Sequence, residues 1–119
     1  MCVHTSYLLP SFEVSSSYIF GVFGPRSRDL MSKLSKDDFS NENIKFATFK
    51  KIEINNKKIL AQRLSYVGEI GFELYMDMKD SKEIFNLISQ KGKEFDLSLC
   101  GMLAMDTMRM ESGYLHWGH

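Results

Sequence analysis

Apolar residues recur along this chain with two periods, one of strands and one of helices. Tyr18-Ile-Phe-Gly-Val-Phe23 is a nearly continuous apolar run, the pattern of a strand buried on both faces. Gly24-Pro25 turns the chain, with Pro25 at the first helical position, where a missing N–H costs nothing. Leu30, Met31 and Leu34 then form the apolar stripe of a short helix. Arg26 and Arg28 stand near its positive end and read as solvated cations. A polar loop, Lys36 to Asn43, leads to a strand over Lys45 to Ile54. Asn55-Asn56 is a hairpin turn signal, because asparagine tolerates positive φ. Lys57 to Ser65 returns as a strand with Ile59, Ala61 and Arg63 on one face and Leu60, Gln62 and Leu64 on the other. A second strand–turn–strand unit spans Tyr66 to Glu73 and runs on to Met76. Asp80 or Ser81 caps a helix that reaches Glu94, with Ile84, Phe85, Leu87 and Ile88 inward.

The final helix, from about Cys100 to Glu111, is mostly apolar and is expected to be buried. Its methionines, Met102, Met105, Met108 and Met110, read as adaptable core packing. Asp106 and Arg109, three apart, read as a structural ion pair, and Gly113 as the helix C-cap. The element order predicts an α+β fold. It is a mainly antiparallel sheet with helices packed on one face, ferredoxin-like in character. Residues 1–16 carry weak signals and read as a lead-in; residues 17–119 read as one unit without repeat or linker.

Composition narrows the function classes. The chain has 119 residues, 44% hydrophobic and 13% aromatic, a globular composition with room for one modest core. Fifteen basic and 15 acidic residues cancel, which leaves no basic patch to argue for nucleic acid. No apolar run approaches the ~20 residues of a membrane span, and no signal peptide is read, so a cytoplasmic protein is expected. Cys2 and Cys100 have no metal spacing and read as reduced thiols. His116 and His119 flank a glycine near the chain end and are not assigned to a metal.

The chemistry concentrates in Y-V-G-E-I-G-F-E, Tyr66 to Glu73. With Gly68 to Gly71 as the loop, Tyr66 faces Glu73 on one side of the hairpin, at ~5 Å between Cβ atoms. A carboxylate there can accept two parallel N–H bonds from an amidine- or guanidine-like edge, such as that of a pterin. The alternative is a half-buried strand tyrosine with Glu73 as its partner, or a solvated strand carboxylate.

S-Y-V-G-E-I-G-F-E, G-M-L-A-M-D-T-M-R-M-E-S-G and the turn F-G-P-R-S together resemble the folate-binding aminomethyltransferase family, typified by the glycine cleavage T-protein. The ending G-Y-L-H-W-G-H and the phrase D-F-S-N-E are most similar to the folate-binding halves of sarcosine and dimethylglycine dehydrogenases. The resemblance runs from about Ser17 to the last residue. It implies a partial folate-binding domain over 17–119, part of a larger T-protein-like domain, with tetrahydrofolate as cofactor. It also implies that Glu73 binds the pterin edge and that Tyr66 packs on or hydrogen-bonds the cofactor. Met105 stands where the T-protein has an arginine, as the dehydrogenase branch tolerates. The family's catalytic aspartate falls upstream of the matched residues, so no catalytic residue is assigned.

Three readings stay open. One is a truncated aminomethyltransferase domain that moves a one-carbon unit from a methylated amine (glycine, sarcosine or dimethylglycine type) to tetrahydrofolate. It would be partnered by the remainder of the domain or by a flavin dehydrogenase part. Another is a non-catalytic folate-binding or interaction module. The third is a fragment of a folate-dependent demethylase. The iron–sulfur assembly branch, marked by K-G-C-Y-x-G-Q-E, is disfavoured because the chain has L-S-Y-V-G-E.

Overall fold

The computed structural model describes residues 2–7 and 17–115. Six strands form one sheet: β1 (Cys2–Tyr7), β2 (Ser17–Phe23), β3 (Phe49–Ile54), β4 (Lys57–Arg63), β5 (Gly71–Asp77) and β6 (Ser98–Leu99), in the order β3-β4-β5-β2-β1-β6. All pairings are antiparallel except that of β1 with β6. The helices are α1 (Ser27–Leu34), α2 (Met78–Gly92) and α3 (Met102–Glu111). The α+β class follows directly. Residues 8–16 and the His116–His119 pair lie outside the described residues.

The apolar run Tyr18–Phe23 lies inside the sheet, as its composition requires. β2 pairs with β5 on one side and β1 on the other. Phe20 and Val22 point to the main core, while Ile19 and Phe23 are buried on the opposite face. The main core fills the first face with Phe72, Leu74, Ile59, Ala61, Ile52 and Ile54 beneath Leu30, Met31, Ile84 and Ile88 of α1 and α2. Phe39, from the polar loop, meets the Phe72 ring edge-on at 5.5 Å.

Turn chemistry sets the strand limits. Asn55 and Asn56 both take positive φ, 48° and 61°, as a two-residue hairpin turn of the primed type needs. β3 starts at Phe49, later than the expected Lys45, because Thr48 closes a turn back to Lys45 by N–H···O (3.1 Å) and Oγ1–H···O (2.7 Å) and Ala47 takes φ 61°. Pro25 is not at the first helical position. Ser27 N–H reaches back to the Gly24 carbonyl at 3.0 Å, closing a β-turn whose second position suits proline, and the helix opens after Arg26. α2 begins at Met78, directly off β5 and ahead of the expected Asp80 or Ser81. Asp80 instead sits in its first turn, 3.3 Å from Lys57.

α3 departs most from expectation. Of its residues only Met105 is buried, and Leu103 is 84% exposed. At 3.6 residues per turn, Leu103 and Met110 lie on the side away from Met105, so the helix is apolar on two sides and the sheet covers one. It meets the second face of the sheet through a small cluster of Phe23, Val67 and Met105. Gly113 ends it as expected: with φ 75° it donates to Met110 O (3.1 Å), and Tyr114 N–H reaches Arg109 O (2.9 Å), both bonds of a Schellman motif.

Candidate functional site

The second face of the sheet carries Glu73. Alternation along β5 sends Phe72 and Leu74 to the main core and Glu73 and Tyr75 to the other side. Across β4, Glu73 is registered with Gln62; across β2, with Gly21. This corrects the expected facing of Tyr66 and Glu73, since Gln62 stands where Tyr66 was placed. The connection is longer than four residues: Leu64 N–H closes on Gly71 O at 3.2 Å, leaving residues 65–70 as loop. Tyr66 therefore lies in the loop, outside the strand alternation. It packs, half-buried, against the cluster of Phe23, Val67 and Met105.

The loop is long because it is held from outside. The Ile70 carbonyl accepts from Gly24 N–H (2.8 Å) and Ser27 Oγ–H (3.1 Å), both in the turn that leads into α1. Val67 O accepts from Ser112 Oγ–H at 2.8 Å, at the end of α3. Within the loop, Ser65 Oγ–H donates to Glu69 O at 2.6 Å, and the Glu69 side chain is exposed. Gly68 sits at φ 82°. Gly71 is needed for space: a Cβ there would stand 2.1 Å from Phe23 Cδ1, and one at Gly21 2.4 Å from Phe23 Cε2. The Phe23 ring thus lies across two glycines, flat against the strands beside Glu73.

Glu73 is part of a polar group that sequence reasoning missed. The Tyr75 hydroxyl donates to Glu73 Oε2 at 2.7 Å and lies 3.2 Å from Gln62 Oε1. Phe49 braces the Tyr75 ring, with centroids 5.9 Å apart. Burial, the hydrogen bond to Glu73 and the Glu73 charge together push the Tyr75 phenol well above its ordinary range. It is therefore a neutral donor at physiological pH. The i, i+2 spacing of Glu73 and Tyr75 signals a shared face, but Gln62 could be found only from the register.

A carboxylate has about four lone-pair sites. One hydrogen bond from Tyr75 leaves others to accept N–H groups, so Glu73 fits an amidine-like edge. Two clefts, of about 220 Å³ and 280 Å³, flank the hairpin loop, and neither is lined by Tyr66 or Glu73. Glu73 lies on the sheet face outside both clefts.

Other charged residues have structural partners. Arg109 Nε–H donates to Asp106 Oδ1 at 2.8 Å, and its Nη1–H to Tyr114 O at 3.2 Å, which makes the Asp106–Arg109 pair part of the helix end. Arg26 lies 4.8 Å over the Phe95 ring and 3.7 Å from Asp96. Arg28 Nη2–H donates to Asn41 Oδ1 at 2.6 Å. Met105 is buried among apolar groups. Among the described residues, no group of three or more His, Cys, Asp or Glu is placed to hold a metal ion, and no helix is long and apolar enough to cross a membrane.

Comparison with known proteins places the chain in a family. Human mitochondrial dimethylglycine dehydrogenase is 35% identical over 100 residues, 84% of this chain and 12% of that protein. The 4-methylaminobutanoate oxidase (formaldehyde-forming) of Paenarthrobacter nicotinovorans is 35% identical over 99 residues, 83% of this chain and 12% of its own length. An aminomethyltransferase of Thermoanaerobacter sp. (strain X514) is 38% identical over 97 residues, 81% of this chain and 26% of that protein. The chain thus spans between about an eighth and a quarter of these relatives. Residues 12–119 match the family described as the GCVT N-terminal domain, and with that match over most of its length the chain belongs to this family.

Proposed function

We propose that this chain supplies part of a tetrahydrofolate-binding surface in a protein that moves a one-carbon unit from a methylated amine to tetrahydrofolate. The amine would be of the glycine, sarcosine or dimethylglycine type. In this reading Glu73 accepts the pterin's amidine-like edge, and Tyr66 packs on the cofactor from the Phe23 cluster. The supporting observation is the half-buried Glu73 carboxylate, fixed at Oε2 by Tyr75 on a sheet face, with acceptor capacity left over. Bound tetrahydrofolate would supply the nitrogen that takes the one-carbon unit; the chain's part is to bind and orient it. The general acid–base group and the amine pocket would come from the remainder of the domain, with a flavin dehydrogenase part in a dehydrogenase setting.

A second reading, a non-catalytic folate-binding or interaction module, is favoured by the exposed apolar side of α3, with Leu103 at 84% and Met110 at 60% exposure. A demethylase fragment shares the same folate surface, and its substrate pocket would distinguish it.

The test is a thermal melt of the 119-residue chain with and without tetrahydrofolate or a stable reduced analogue. Binding to the native state raises stability by about 2.7 kcal/mol at a hundredfold excess over Kd. A cooperative melt that does not move with ligand would sink the folate reading for this chain.

A further inference from the structure

We propose that Tyr75 is a positioning residue for ligand recognition: it holds Glu73 in the orientation that accepts the pterin edge, and Gln62 holds Tyr75. This rests on the reading of Glu73 given above. A glutamate on an open sheet face has three rotatable bonds, and an amidine edge rewards only a coplanar carboxylate. Something must therefore fix that plane before the ligand arrives.

Among the described residues, the polar neighbours of Glu73 lie toward β4 and along β5. Toward β2 its neighbour is Gly21, beside which lies the edge of the Phe23 ring, an apolar surface. Toward β4 its neighbour is Gln62, and along β5 it is Tyr75. The phenol has a single proton, and the 2.7 Å contact to the carboxylate is the shorter of its two. Charge assistance assigns the proton to Glu73. Gln62 Oε1 stands 3.2 Å from the same hydroxyl, so Gln62, Tyr75 and Glu73 meet at one phenol oxygen, and polar groups joined in this way polarise one another. Phe49 packs against the Tyr75 ring at 5.9 Å and limits its swing.

Tyr75→Phe removes one oxygen and keeps the ring, so packing against Phe49 survives. The measurement is calorimetric titration of wild type, Tyr75→Phe, Glu73→Gln and the double variant. The ligands are tetrahydrofolate and an analogue lacking the 2-amino group, with a thermal melt of each protein alongside. Tyr75→Phe is expected to weaken tetrahydrofolate roughly tenfold, the scale of one hydrogen bond to a charged group. It should leave the desamino analogue unchanged and add nothing in the Glu73→Gln background. Equal weakening of both ligands would mean a purely structural tyrosine and overturn the proposal. Weakening by Glu73→Gln but not by Tyr75→Phe would overturn it while the folate reading stands. Unchanged affinity in Glu73→Gln, or no binding by wild type, would overturn both.

Discussion

Ser112 Oγ donates a 2.8 Å hydrogen bond to the Val67 carbonyl, 45 residues earlier in the chain. This contact joins the end of α3 to the loop beside Glu73. Gly68 lies directly beneath it: a Cβ there would come within 2.4 Å of Ser112 Oγ, at φ 82°. Ser112→Ala should cost about 0.5–1.5 kcal/mol, the net worth of one such bond. Gly68→Ala should cost more, from the left-handed backbone and the collision together. Urea unfolding of the two variants checks the order; a Gly68→Ala protein as stable as Ser112→Ala would contradict it.

Phe23 and Gly71 form a space-filling pair. Gly71→Ala places a methyl 2.1 Å from Phe23 Cδ1, and overpacking of this kind costs about 1–3 kcal/mol. Combined with Phe23→Leu, the cost of Gly71→Ala should shrink, because the colliding ring atom is gone. Residues in contact couple in this way, and a double-mutant cycle by denaturant unfolding measures it. Strict additivity would show that the ring and the glycine are independent.

Glu73→Gln keeps the shape of the side chain and removes its charge. Tetrahydrofolate binding should weaken by about 1.5–3 kcal/mol, the range for hydrogen bonds to a charged group. Glu69→Gln, an exposed loop carboxylate, serves as control and should leave affinity unaltered. Equal affinities for wild type and Glu73→Gln would remove Glu73 from the site.

The Tyr75 phenol also predicts a pH effect. Its pKa in the folded protein is raised, by burial and then by its bond to Glu73 and the Glu73 charge, while an unfolded tyrosine titrates near ~10. A raised pKa means that the folded state holds the proton more tightly. Its stabilising contribution is therefore complete below pH ~10 and is lost as pH rises toward the folded value. Ultraviolet absorbance titration should show a tyrosine step later than that of a free phenol, and Tyr75→Phe should abolish that late step. A late step that persists in Tyr75→Phe would assign it elsewhere.

Much of the frame was legible in the sequence, and the errors share a cause. The apolar run at Tyr18–Phe23, the Asn55-Asn56 turn and Gly113 each carry local signals strong enough to fix what the backbone does there. The facing of Tyr66 and Glu73 failed because glycines at 68 and 71 invite a four-residue turn. In fact Gly68 serves a left-handed bend and Gly71 the room needed by Phe23, a residue 48 positions away in sequence. The bonds that stretch the loop, from Gly24, Ser27 and Ser112, are equally remote. α3 was read as buried because its methionine content is that of a core helix. Exposure is decided by what packs against it, and the apolar cluster on the second face takes up Met105 and Met108. Glu73 was found by its chemistry, whereas Gln62 and Tyr75 became its partners only through strand register.

The loop at residues 65–70 is a keystone. Ile70 is gripped by the chain entering α1, and Val67 by the chain leaving α3. Most connecting loops open within the native state without disturbing the elements they join. This one cannot open alone, because releasing it breaks bonds in two other segments. Its slowest opening motion is therefore shared with them, and a ligand resting on Tyr66 would stiffen the entry to α1 and the exit from α3 at once.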